Sequence, residues 1–243
     1  MTKKTYIFAA NWKMAGDENI ALKWVKQFTN EKWKKILEDE KNQVIVFPSL
    51  VYLAQIKQLI KEKNLPIKIG AQDLEALPEI LYQKSVKHTG QYPAPRQLSY
   101  FAQYTLIGHS ESRADKKLSL KDINQKIDLA IKYNLKPIIC VADEKQLETI
   151  SQYKKDLSFY IAYEPITAIG TGNAANPNEA NKFCQYIKDQ LPGVKAILYG
   201  GSVNPENVNL FLSKEYISGV LVGDKSADPL FFKKIIENYL LSL

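Results

Sequence analysis

Glu164 occupies a position at which a carboxylate can act as a base. It follows the apolar run Phe159–Tyr163 and precedes Pro165, which removes a backbone donor and stiffens the exit of that run. A carboxylate that a neighbouring loop shields from water is a candidate general base. The alternative interpretation is a solvated glutamate in an ordinary connecting loop.

A loop of small residues follows Glu164 and has the composition of a lid. Such a loop can close over a ligand and present backbone N–H groups to it. Its members are Pro165, Ile166, Thr167, Ala168, Ile169, Gly170, Thr171 and Gly172.

His109 follows another apolar run and precedes Ser110, Glu111 and Ser112, which is typical of a helix start. The partial positive charge of a helix N-terminus disfavours an imidazolium ion, so we expect a neutral ring. A neutral imidazole can donate a hydrogen bond to a substrate oxygen. The alternative is a histidine that only caps or packs against the helix.

Asn11 and Lys13 lie two residues apart at the end of the first apolar run. On an extended segment, side chains with this spacing point to the same side. A lysine directed into a cavity supplies a positive charge for a phosphate or a developing oxyanion. A lysine at this position can equally be a solvated surface residue.

Two glycine-bearing segments follow the last two apolar runs. Gly200 and Gly201 precede Ser202, and Gly223 precedes Asp224. Glycines let the backbone approach a ligand closely, and helix N-termini bind anions. Together the two segments favour a phosphate site, although either one alone is a weak signal.

Eight short apolar runs must position these residues. They are rich in β-branched side chains and apolar on both faces, as in the strands of a buried parallel sheet. They are Tyr6–Ala10, Val44–Phe47, Ile67–Ala71, Tyr104–Ile107, Pro137–Val141, Phe159–Tyr163, Ala196–Tyr199 and Gly219–Val222.

Amphipathic stretches between the runs predict helices, and three of them have clear starts at Asn176-Pro177, Asn204-Pro205 and Asp228-Pro229. The alternation indicates an α/β fold of right-handed βαβ units. Eight units fit a closed barrel better than an open doubly wound sheet, but periodicity alone does not decide between them.

In a barrel, the candidate residues would share one cavity at the carboxyl ends of the strands. A base, an electrophile, a cation and a phosphate site can perform proton abstraction next to a carbonyl without a cofactor. The two histidines and two cysteines have no metal-ligand spacing, and no glycine-rich nucleotide motif is present. We therefore predict no metal and no cofactor.

The composition of the 243 residues is that of a globular protein with a net charge of +7. The lysines are dispersed and no apolar stretch is long enough to span a bilayer, so we expect neither a nucleic-acid partner nor a membrane. Cys140 and Cys184 are expected to be buried free thiols in a reducing compartment. Because the first residues read as a strand and not as a signal peptide, we expect a cytoplasmic protein.

Five ordered segments make the chain resemble the triosephosphate isomerases. They are AANWKM, IGHSESR, AYEPITAIGTG, LYGGSVNPEN and GVLVG. The resemblance spans the whole chain and implies one (β/α)8 TIM barrel domain over residues 1–243. It also implies the interconversion of D-glyceraldehyde 3-phosphate and dihydroxyacetone phosphate, a step of glycolysis and gluconeogenesis.

The resemblance assigns a role to each candidate residue. Glu164 would transfer a proton between two substrate carbons, and neutral His109 would polarise the carbonyl. Lys13 would stabilise negative charge and Asn11 would help to place the substrate. The phosphate would be held by Gly170, Ser202, Gly223 and the backbone of Asp224.

Several positions depart from the family pattern. Ser112 replaces an arginine, Thr167 stands where the family has a tryptophan, and Asp224 places an anion at the expected phosphate site. The short spacings on either side of Glu164 predict shortened fifth and sixth helical segments.

The loop after the third predicted strand carries Thr89 and Gly90, which resemble the pair that reaches into the partner's active site in the family. We therefore expect a homodimer through this loop, although the stretch from Gln72 to Thr89 is longer than usual and contains an unfamiliar segment, Asp73–Lys87. Two other functions remain open: another cofactor-free isomerase or aldolase-like enzyme, and an inactive barrel that binds a phosphorylated metabolite.

Overall fold

A computed structural model describes residues 4–76, 93–153, 159–168 and 172–242. Every sequential pair of strands is parallel, and the last strand pairs with the first to close the barrel. The strands are β1 (Tyr6–Asn11), β2 (Asn42–Phe47), β3 (Lys68–Ala71), β4 (Tyr104–Ile107), β5 (Lys136–Val141), β6 (Tyr160–Tyr163), β7 (Ala196–Tyr199) and β8 (Gly219–Val222). The eight predicted runs are confirmed, and the closure decides for the (β/α)8 TIM barrel.

Helices connect the strands. In the described residues they are α1 (Ile20–Lys26), α2 (Glu31–Glu38), α3 (Leu53–Glu62), α4 (Pro95–Leu98), α5 (Ser110–Lys116), α6 (Leu120–Lys132), α7 (Glu144–Glu148), α8 (Pro177–Gln190), α9 (Val208–Leu212) and α10 (Pro229–Leu240). None of these helices is both long and apolar enough to cross a lipid bilayer.

The helices that follow β5 and β6, where the sequence predicts shortened segments, differ in length. After β5, helix α7 has 5 residues and is followed by a short 3₁₀ turn, Ser151–Tyr153. After β6, helix α8 has 14 residues, so any shortening of the sixth segment lies outside this helix.

Two of the three predicted helix starts are confirmed. The Asn176 side chain accepts hydrogen bonds from the N–H groups of residues 178 and 179, and that of Asp228 accepts one from residue 230. Asn204 caps the N–H groups of residues 206 and 207 in the same way, but they form a turn and the helix begins only at Val208. The third prediction therefore placed the helix too early.

Alternation along the strands places the site residues. Ile7 and Ala9 of β1, and Ala162 of β6, belong to the cluster of side chains that fills the barrel. Because side chains on a strand alternate between its faces, Asn11 and Glu164 continue these interior rows at the carboxyl end. The barrel mouth therefore receives its polar groups from the same face that carries the apolar filling.

The opposite faces of the strands pack under the helices. Trp12, the residue between Asn11 and Lys13, is fully buried and meets Trp24 of α1 edge-on at 5.7 Å between ring centroids. This contact fixes the exit of β1. Cys140 and Cys184 are buried free thiols, as expected from the sequence.

Candidate active site

A cavity of about 480 Å³ opens at the carboxyl ends of the strands. It brings together the predicted catalytic and phosphate-binding residues that the structure describes: Asn11, Lys13, His109, Glu164, Ser202, Gly223 and Asp224. Gly172, at the end of the predicted lid, also lines it, but residues 165–168 of the lid do not. Ile169, Gly170 and Thr171 lie outside the described residues.

Glu164 is the most deeply buried polar residue that lines this cavity, with 2% of the residue exposed. Its Oε2 accepts a hydrogen bond from the Ser110 N–H at 3.1 Å, and its Oε1 lies 3.3 Å from His109 Nε2. Burial raises the pKa of Glu164, against the opposing effects of His109, the Ser110 N–H, the Cys140 thiol and Lys13. A carboxylate in this environment gains a proton more readily than a solvated one.

Gly200 leaves the space that Glu164 occupies. A Cβ atom at Gly200 would lie 3.0 Å from Glu164 Cγ, which is closer than nearly all such contacts in proteins. A side chain at this position would therefore press against the carboxylate. Packing against Glu164 therefore explains the glycine at position 200 without reference to a ligand.

His109 caps helix α5. Its Nδ1 accepts a hydrogen bond from the Glu111 N–H at 3.3 Å, which requires an unprotonated Nδ1. In the neutral ring the remaining proton is then on Nε2, the nitrogen that faces Glu164 and the cavity. The geometry agrees with the expected neutral imidazole and shows which nitrogen can donate.

Lys13 has a left-handed backbone, with φ of +52°, which for a side chain of this size costs about 1–3 kcal/mol. Side chains from three segments hold it there. Its N–H donates to Asn11 Oδ1 at 3.1 Å, and its carbonyl accepts from Ser49 Oγ at 2.8 Å and Gln72 Nε2 at 2.6 Å. The lysine side chain leaves this fixed backbone toward the cavity.

The Lys13 ammonium group pairs with Glu111, at 2.5 Å between Nζ and Oε1. The lysine side chain is 25% exposed and the glutamate side chain 49% exposed. An ion pair in this partly solvated position contributes little to stability. It does hold the cation at the edge of the cavity, beside Gly223, where a Cβ atom would lie 3.5 Å from Lys13 Cε.

Ser202 and Tyr199 connect the predicted lid to the end of β7. Ser202 Oγ donates to the Ala168 carbonyl at 2.6 Å, and Tyr199 Oη accepts from the Ala175 N–H at 2.8 Å. One bond therefore holds the middle of the predicted lid, and the other holds the chain three residues after it. In the described part of the lid, residues 166–168 form a 3₁₀ turn in which Thr167 is exposed.

Several residues that support the site were not among its predicted members. Gln72 and Ser49 support the Lys13 backbone, and the Arg113 guanidinium group donates to the carbonyls of Gly108 and Cys140. Gln72 could have been predicted from its position directly after β3, at the same end of the barrel as the other candidate residues.

We expect Glu164→Gln to raise the melting temperature at neutral pH, because it removes a buried charge and keeps the shape of the side chain. The raised pKa means that the native state binds the proton more tightly than the unfolded chain. The stability of the wild type therefore falls as the pH rises from the pKa of Glu164 in the unfolded chain to its higher pKa in the native state. Above both pKa values this loss of stability is complete and stays constant.

Each 1 kcal/mol of stability gained in this way raises the melting temperature by about 2–4 °C at this chain length. Calorimetry at pH 7 and near pH 4 measures the gain, which should shrink at the lower pH. The exposed Glu62→Gln on α3 is the matched control. A variant that melts at or below the wild-type temperature at pH 7 would contradict this expectation.

The fold and the cavity together define a parallel (β/α)8 barrel whose candidate site gathers a buried carboxylate, a histidine and a lysine. The family model described as triosephosphate isomerase matches residues 6–239 of the chain. The chain belongs to the triosephosphate isomerase family.

Relatives of that name match over most of their length. The protein from Dehalococcoides mccartyi is 38% identical over 244 residues, which covers 90% of this chain and 90% of the relative. The protein from Clostridium botulinum is 34% identical over 262 residues, covering 97% and 100% respectively. That from Aquifex aeolicus is 31% identical over 258 residues, covering 96% and 99%.

Proposed function

We propose that the chain interconverts D-glyceraldehyde 3-phosphate and dihydroxyacetone phosphate, with Glu164 as the base. The observation that carries the assignment of roles is the buried Glu164 carboxylate 3.3 Å from His109 Nε2, in a cavity that Lys13 also lines. Membership of the family supports the reaction itself.

In this mechanism Glu164 removes a proton from the carbon next to the substrate carbonyl, and the electron pair of that bond forms an enediolate. The Nε2–H of His109 donates to the carbonyl oxygen, and Lys13 stabilises the negative charge that develops there. Glu164 then returns the proton to the neighbouring carbon. Asn11, which also fixes the Lys13 backbone, places the substrate at the rim.

The phosphate group lies on the side of the cavity formed by Ser202 and Gly223, within reach of the Lys13 charge. The backbone N–H of Asp224 and that of Gly170 complete its contacts in this proposal. Closure of residues 165–172 over the substrate would exclude water from the enediolate. The bonds that Ser202 and Tyr199 make to residues 168 and 175 lie on either side of Gly170 in the sequence, so the chain between them is the part that would move most.

Turnover of D-glyceraldehyde 3-phosphate by the purified protein, in an assay coupled to consumption of dihydroxyacetone phosphate, tests this proposal. Turnover is the expected result. Absence of turnover, with inorganic phosphate still bound in the cavity, would overturn it and favour the inactive barrel that binds a phosphorylated metabolite.

We expect Asp224→Asn to tighten the binding of phosphate. Asp224 is exposed at the wall of the cavity, at the start of the 3₁₀ turn Asp224–Ala227. The amide keeps the side-chain shape and removes a negative charge, which should lower the inhibition constant of inorganic phosphate by roughly 3- to 10-fold. The effect should weaken at high salt.

Asp189→Asn, an exposed change at the distant end of α8, is the control for this experiment. An inhibition constant for Asp224→Asn that matches both the wild type and the control would show that the carboxylate does not act on the phosphate.

We also propose a homodimer that buries an apolar surface next to the active site. Met14 is 96% exposed, Val51 81% and Leu50 52%, and all three line a second cavity of about 570 Å³ that shares Lys13 and His109 with the first. Large apolar side chains clustered in this way are typical of an interface. The loop that carries Thr89 is the proposed partner segment, and it lies outside the described residues.

We expect Val51→Asp to convert the dimer to a monomer, because it places a charge in the apolar surface. Size-exclusion chromatography with light scattering measures the mass directly. Leu230→Asp introduces the same charge at another exposed apolar residue, in the first turn of α10, and should leave the mass unchanged. A wild type that is monomeric at all concentrations would contradict the interface.

The proposed location is the cytoplasm. Two buried cysteines that remain free are consistent with a reducing compartment. The reaction also places the protein in glycolysis and gluconeogenesis.

A further inference from the structure

A lysine and an aspartate form a buried ion pair outside the catalytic cavity. Lys126, in the middle of α6, is 3% exposed, and its Nζ lies 2.5 Å from Asp73 Oδ1 and 2.8 Å from the Leu74 carbonyl. Asp73 is 9% exposed. Replacing such a pair by apolar residues of similar volume often leaves stability unchanged or improves it, so stability alone does not explain its presence.

The pair fixes the segment that leaves β3. Lys126 contacts residues 73 and 74, and the N–H of Glu75 donates to the Pro93 carbonyl at 3.1 Å. Gln72, the residue directly before Asp73, uses its amide to bond the carbonyls of Phe47 and Lys13 at 3.0 and 2.6 Å. The position of the Gln72 amide therefore depends on a backbone that Lys126 holds from the other side.

The position of Gln72 matters for the chemistry because its amide bonds the carbonyl of Lys13. The left-handed backbone of Lys13 persists only because neighbouring groups determine it, and Gln72 is one of the two side chains that bond its carbonyl. A rotation of the Lys13 peptide would move the base of its side chain and so displace the ammonium group from the cavity.

We propose that the Lys126–Asp73 ion pair is a positioning device for Lys13 and acts through Gln72. The inference rests on the proposed function, in which the Lys13 ammonium group binds the substrate. Neither Lys126 nor Asp73 lines the cavity that contains Glu164. Asp73 borders the second cavity, which Lys13 and His109 also line, and the proposed connection to Lys13 runs through Gln72.

The test uses the double variant Lys126→Met/Asp73→Leu, which removes both charges and leaves neither partner buried without the other. If the pair positions Lys13, kcat/KM falls about tenfold or more, since a displacement of about 1 Å can cost up to about 100-fold. The inhibition constant of inorganic phosphate rises in parallel, while the melting temperature stays close to that of the wild type. Lys121→Met, an exposed change on the same helix, is the control.

A second variant, Gln72→Leu, breaks the proposed connection directly and should show the same kinetic defect. In the triple variant with Lys126→Met/Asp73→Leu, kcat/KM should fall no further than in the more affected parent, because both changes interrupt one path. Independent effects would multiply. The inference would be overturned if the losses in kcat/KM multiplied in the triple variant. It would also be overturned if the double variant had wild-type kcat/KM and wild-type inhibition by phosphate.

Failure of the proposed function gives a different result. A wild-type protein without turnover would overturn the isomerase assignment, and the dissociation constant of inorganic phosphate would then decide the positioning question. Weaker phosphate binding in the double variant than in Lys121→Met would support the positioning of Lys13, and equal binding would overturn it.

Discussion

Replacing Glu164 by Gln should lower kcat by about 10²- to 10⁴-fold, the range in which positioned acid–base groups act. The amide has the shape of the carboxylate, and its oxygen can still accept the hydrogen bond from the Ser110 N–H. It cannot accept a proton from carbon. The loss should therefore appear in the chemical step, while the inhibition constant of inorganic phosphate stays close to the wild-type value.

The comparison that isolates the base is between Glu164→Gln and Glu62→Gln, which makes the same chemical change at an exposed site and should keep full activity. If Glu164→Gln retained wild-type kcat, another group would have to abstract the proton. If it lost phosphate binding and turnover together, a collapsed cavity would explain the defect, and Glu164 would lose its assignment as the base.

The strands and the rim could be predicted because local patterns determine them. Short runs apolar on both faces are required of a sheet covered by helices and filled inside, and all eight were found. The same alternation places Asn11 and Glu164 on the inner face. Barrel closure is a long-range property, in which β8 pairs with β1 across nearly the whole chain, and periodicity contains no signal for it.

The supporting residues could not be predicted for a related reason. A lysine in an amphipathic helix reads as a solvated residue, and the burial of Lys126 depends on Asp73, which is 53 positions away. Gln72 acquires its role only because β1, β2 and β3 end side by side. The Asn204 capping signal was present but was satisfied by a turn, so it misplaced a helix start.

Two energetically unfavourable features of the fold lie at the cavity. Burial disfavours the ionised form of Glu164, and Lys13 holds an unfavourable backbone conformation. Natural proteins concentrate such costs where function requires them. The rest of the barrel, with its continuous apolar filling, provides the stability that tolerates them.

Replacing Lys13 by Met should lower kcat/KM by about 10²- to 10³-fold, as expected when one preorganised group that stabilises transition-state charge is removed. Methionine has nearly the length of lysine without its charge, so the left-handed backbone and its bonds to Ser49 and Gln72 can remain. Unlike Glu164→Gln, this variant should also bind inorganic phosphate more weakly, because the cation serves both the bound phosphate and the transition state.

Lys23→Met is the matched control, since Lys23 is an exposed lysine of α1 that pairs with Asp17 and lies away from the cavity. Equal phosphate inhibition in Lys13→Met and Lys23→Met would mean that Lys13 does not contact the phosphate, even if turnover fell. A loss of phosphate binding confined to Lys13→Met, beside a loss of turnover with binding intact in Glu164→Gln, would separate the binding charge from the base. Two side chains that reach one cavity from the ends of β1 and β6 would then have distinct and measurable roles.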